Sequence, residues 1–153
     1  MEKRDNQVSF ALTRITTEQF ATIESNYCDK DDIKLQSSFR FAADNKKRLV
    51  GVFTNFTFEV EQKTFMIIEA GCHFMIKPES WDELINSDGS ILKIPKGIVQ
   101  HLAMITVGTT RGILHAKTEN TPFNQYYIPT INVAEMIKQD SVFEFKNDKE
   151  KLS

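Results

Sequence analysis

Between Ile33 and Ile76 the sequence alternates between apolar and polar or small side chains in three runs separated by short turns. Ile33, Leu35, Phe39 and Phe41 alternate with Lys34, Gln36, Ser38 and Arg40. Val50, Val52, Thr54, Phe56, Phe58 and Val60 keep the same period, and Met66, Ile68, Ala70, Cys72, Phe74 and Ile76 form the cleanest run. Side chains two residues apart share one face of a strand, so each run predicts a strand with one buried face. The connections, Asp44-Asn45-Lys46-Lys47 and Glu61-Gln62-Lys63, are short enough to make successive strands antiparallel neighbours. An earlier run, Val8, Phe10 and Leu12, loses phase at Ile15. That break predicts a bulge or bend, with Phe20 and Ile23 continuing the strand loosely. Three to four strands therefore make one sheet, and its apolar face needs a cover.

The cover is supplied by Ile94 to Ala116. Pro95 suits the first turn of a helix, where a missing N–H costs nothing. Ile98, Leu102, Ile105, Thr109, Gly112 (or Ile113) and Ala116 then recur at three- and four-residue spacing. Gly108 and Gly112 each cost the helix about 1 kcal/mol relative to Ala, so another backbone is expected to pack closely against them. Pro78 to Gly89 reads as a short crossing segment carrying Trp81, Leu84 and Ile85. Asn132 is placed to cap a short second helix, Val133 to Gln139. Residues 1–7 and 146–153 are polar and expected to be flexible. The reading is one α+β domain over residues 1–153.

Composition narrows the functions. The formal charge is only −2, with basic residues scattered among acids, which does not point to a nucleic-acid partner. Cys28 and Cys72 are too few for a disulfide framework and fit a reducing compartment. The first twenty residues carry charges throughout, and no run approaches the roughly 20 apolar residues that span a bilayer. A soluble cytoplasmic protein is expected. His73, His101 and His115 are not spaced to share a metal, and Cys72 and His73 point to opposite faces of their strand. Val107-Gly108-Thr109-Thr110-Arg111-Gly112 lacks the Gly-Lys-Ser/Thr ending of a phosphate loop and lies inside a helical pattern. No enzyme, metal or cofactor is expected.

What remains is apolar surplus. Phe53, Phe65, Ile67 and Met75 fall on the strand phase opposite the core, which favours a subunit contact. Trp81, Phe123, Tyr126 and Tyr127 sit in connecting segments. They are read equally as loop anchors or as a peptide-binding surface. Two rivals of other classes stay open: a small-molecule domain, whose polar groups would be His73, His101 and Arg111, and a purely structural oligomer.

The order of elements and the stretch Val107 to Val133 resemble the SecB family of export chaperones. Closely connected strands are followed by a Trp-bearing crossing segment, and then by a helix ending Val107-Gly108-Thr109-Thr110-Arg111-Gly112. Tyr127-Ile128-Pro129-Thr130-Ile131-Asn132-Val133 precedes a short closing helix. The resemblance implies a four-stranded antiparallel sheet backed by a long helix, with a short C-terminal helix. It implies a dimer of dimers, and the residues read above as spare, Phe53, Phe65, Ile67 and Met75, with Gly108 and Gly112, are the expected contact residues. It further implies ATP-independent capture of unfolded or precursor polypeptides in a groove bordered by Trp81, Leu84, Phe123, Tyr126 and Tyr127. The tail 146–153 has none of the Cys or His ligands with which many members bind zinc and engage the SecA motor. That partnership stays open, as does a toxin–antitoxin-associated chaperone of the same fold.

Overall fold

The alternating runs and the irregular run before them form one antiparallel sheet in the computed structural model, which describes residues 7–146. The expected flexible ends therefore lie almost wholly outside the described residues. Strands β1 (Phe10–Thr22), β2 (Ile33–Asp44), β3 (Leu49–Val60) and β4 (Lys63–Ile76) lie in the order β1-β4-β3-β2. Between β3 and β4 only Glu61 and Gln62 intervene, at φ 50° and 66°. Two successive positive φ values give the tight hairpin whose twist matches its strands. The phase break in β1 is a bulge: pairing passes from Leu12↔Phe74 to Arg14↔His73, leaving Thr13 extra, and a second break leaves Glu18 extra.

The crossing segment Pro78 to Gly89 holds helix α1 (Pro78–Leu84), and strand β5 (Ile91–Ile94) follows it. Helix α2 (Lys96–Thr118) then lies across β3 and β4, and a short α3 (Val133–Met136) follows Asn132. The fold is thus α+β, a four-stranded antiparallel sheet against one long helix with a short C-terminal helix. Two short strands were not expected. β6 (Ser141–Glu144) pairs antiparallel with β5, Ile91 opposite Glu144 and Ile94 opposite Ser141. This ribbon brings Phe145 onto Trp81.

The buried face of α2 is turned from the one that spacing predicts. It consists of Val99, Leu102, Ala103, Thr106, Val107, Thr110, Leu114 and Thr118. Three of these are threonines whose hydroxyls donate to the carbonyls of Leu102, Thr106 and Leu114, at 2.8, 2.7 and 2.8 Å. A threonine satisfied by its own helix can be buried without an orphaned hydroxyl. Thr110 also meets Thr54 of β3 at 2.6 Å, a polar stitch between helix and sheet.

The opposite flanks of α2 differ. On one side Gln100 donates to the Ile137 carbonyl at 2.7 Å. On the same side Arg111 donates to Ile128 and Pro129 at 2.6 and 2.8 Å. These bonds draw the segment after α2 along that flank, above β2. The flank toward β1 receives no such cover. Among the described residues no helix is long and apolar enough to cross a membrane.

Candidate functional site

Four of the five residues expected to border a groove fall into two separate clusters, Trp81 with Leu84 and Phe123 with Tyr126. Trp81 is 3% exposed, stacks on Phe145 at 6.4 Å and donates from Nε1 to Asn45 Oδ1 at 3.1 Å. Leu84 packs half-buried against the same core. Phe123, 5% exposed, lies near the opposite end of α2, in a cluster with Phe65 and Tyr27. Trp81 and Phe123 belong to different core clusters, and α2 beside them is about 34 Å long. Tyr126 is half-buried; its phenol bonds the Tyr27 phenol at 2.9 Å. Burial, followed by that bond, raises its pKa above the usual phenol value. Trp81 and Phe123 are therefore core anchors, and Tyr126 ties its loop to the turn after β1. Tyr127 alone of the five stands free, 70% exposed.

The expected contact residues on β3 and β4 also need correcting. Phe65 is fully buried with the helix-side core because a bulge there, between Phe58↔Met66 and Glu59↔Thr64, re-aims it. Phe53 does face away from α2, yet its own sheet covers it. Arg40 sits 4.0 Å above its ring, His73 meets it edge-on at 5.5 Å, and it overlies Gly71 and Gly51. A Cβ on Gly71 would lie 2.5 Å from that ring, so the missing side chain makes Phe53's place. Ile67 is half-buried and Met75 exposed on the same outer face. Gly108 and Gly112 point into the open, where a Cβ on Gly112 meets nothing within 4 Å. No backbone of the described chain packs against them.

The uncovered apolar surface lies instead along the free flank of α2. On β1, Leu12 pairs with Phe74 and Ile15 with Cys72. Directly paired residues share a sheet face, so Leu12 and Ile15 lie on the helix side. They are nevertheless 42% and 50% exposed. Phe10 fixes the geometry, touching Phe74 at 5.6 Å and His101 of α2 at 5.7 Å. Facing them are Ile98, Ile105, Thr109 and Ile113, half-buried and on one side of the helix. These form the face that spacing picks out in the sequence, and it is the wall of a trough. β1 is a sheet edge, so one row of its backbone N–H and C=O groups has no strand partner. The trough ends in a cavity of about 290 Å³ among Phe20, Thr22, Glu24, Lys117, Asn120, Pro122 and Phe123. Sequence spacing missed Leu12 and Ile15, because the bulge between them hides that they share a face.

Other chemistry is dispersed. Among the described residues no three His, Cys, Asp or Glu side chains gather where they could hold a metal. His73 Nε2 is buried on the sheet without a partner, and His115 pairs with exposed Glu119 at 3.7 Å. Cys28 and Cys72 are both free thiols, Cys72 deep in the core.

No family model matches the chain, and no curated protein matches it. Among solved structures, a protein of unknown function from Streptococcus agalactiae is similar at 13% identity. The match covers 83% of this chain and 99% of that one, with a TM-score of 0.37.

Proposed function

We propose that the protein is a binding module, without catalysis, for extended apolar polypeptide segments, an ATP-independent chaperone of the kind the SecB resemblance implies. The observation that carries this reading is the trough of Leu12, Ile15, Ile105 and Ile113 beside the open edge of β1. An extended segment laid there would bury its apolar side chains against the isoleucines. It would also offer its backbone to the unpaired edge groups. Affinity would come from apolar burial, at about 25 cal/mol per Å² before association costs. The two free thiols support placing it in a reducing, cytoplasmic compartment.

The same reading makes the chain a homo-oligomer, with the open Gly108/Gly112 face of α2 and Met75 as contact surfaces. A second copy is then the rival occupant of the trough. The test replaces exposed Leu12 and Ile15 together with Lys and follows aggregation of a chemically unfolded client. The variant should keep its fold and oligomeric state while losing most of its suppression. Unchanged suppression would overturn the proposal. Conversion to monomer with suppression intact would assign the trough to a second copy.

A further inference from the structure

The cavity at the end of the trough differs from the rest of it in chemistry. Phe20, Pro122 and Phe123 give it an apolar lining beside buried Thr118, and exposed Thr22, Glu24, Lys117 and Asn120 add polar groups. Phe20 pairs with Ile68 and Thr22 with Met66, so both lie on the helix side of β1, in line beyond Ile15. Lys117 continues α2 just past the Ile113 wall, and Asn120, at φ 64°, turns the chain there. An asparagine in that left-handed conformation is a common helix stop. Among the described residues, the side chains of Thr22, Glu24, Lys117 and Asn120 have no hydrogen bond or ion pair, although they rim one cavity.

We propose that this cavity is an anchor pocket for one aromatic or long aliphatic side chain of a polypeptide segment lying in the trough. This rests on the polypeptide-binding reading above and adds a sequence preference to it. The rim argues for a peptide in particular. Glu24 supplies an acceptor and Lys117 a donor on one opening, complementary to the N–H and C=O that a peptide backbone presents on either side of a side chain. Asn120 and Thr22 can each do both. The apolar lining takes the side chain, and the neutral sum of the rim charges suits an uncharged backbone.

The test uses full-length protein and two short fluorescein-labelled peptides with the same apolar run, one ending in Phe and the other in Ala at that position. Fluorescence anisotropy should give about tenfold tighter binding for the Phe peptide, the effect of burying one aromatic side chain. Thr22→Phe, at an exposed strand position, fills the cavity from its rim without touching the core. In that variant the ratio of the two affinities should fall to about one, whatever the loss of the Thr22 hydroxyl does to both peptides alike. A preference that survives Thr22→Phe overturns the anchor, as does equal binding of both peptides to the unaltered protein. In those outcomes the binding module stands, because both peptides are bound. Failure of both peptides to bind removes the binding module itself, and the anchor with it.

Discussion

The stitch between α2 and the sheet makes an asymmetric prediction. Thr54 and Thr110 are both fully buried, with their hydroxyl oxygens 2.6 Å apart. Thr110 gives its proton to the Thr106 carbonyl at 2.7 Å, so in the shared bond Thr54 is the donor. Thr110→Val removes the only side-chain acceptor that Thr54 has among the described residues, leaving a buried hydroxyl unpaired at a cost of about 1–3 kcal/mol. Thr54→Val leaves Thr110 still bonded within its helix and loses one ordinary hydrogen bond, about 1 kcal/mol at most. Replacing both removes the orphan, so the double variant should be close to Thr54→Val alone, a coupling as large as the Thr110→Val cost, about 1–3 kcal/mol. Urea denaturation of the four proteins measures this, and thermal midpoints should move about 2–4 °C per kcal/mol in a chain of this size. Equal costs for the two single variants, or a double variant equal to their sum, would refute the assignment of donor and acceptor.

Trp81 should behave as core. Trp81→Ala is expected to cost about 3–5 kcal/mol, and the native indole to emit in the blue, as a buried ring does; emission typical of water would contradict it. Gly71→Ala should cost about 1–3 kcal/mol by pressing on Phe53, with part recovered by Phe53→Leu. Gly112→Ala should instead gain up to about 1 kcal/mol, since its Cβ enters open space. A loss there would mean that another copy sits against that face. The Tyr126 phenol is held above its ordinary value, so its contribution is full below the unfolded phenol pKa of about 10 and lost as pH rises beyond it. Tyr126→Phe should flatten the alkaline fall in denaturation midpoint; an unchanged profile would place the titrating group elsewhere.

The sheet was legible in the sequence because two-residue alternation leaves each strand one choice of buried face, and even the bulge near Ile15 left its mark as a lost phase. Phe65 was misplaced because a bulge shifts the face of one residue without disturbing the apolar composition around it. On α2 the isoleucines advertised a face that the core uses only at its margin, while Thr106, Thr110 and Thr118 hid the one at its centre. Trp81 and Phe123 sit in segments with no period, so nothing in their spacing tells an anchor from an exposed ring. The β5–β6 ribbon escaped notice because four-residue strands carry too few alternations to stand out.

The most direct test of the central claim is amide hydrogen exchange on the full-length protein, with and without a permanently unfolded client. Binding in the trough predicts slower exchange along β1, from Phe10 to Thr22, and along α2 around Ile105 to Ile113. Protection confined to Trp81–Leu84 and Phe123–Tyr127, with β1 unchanged, would contradict it.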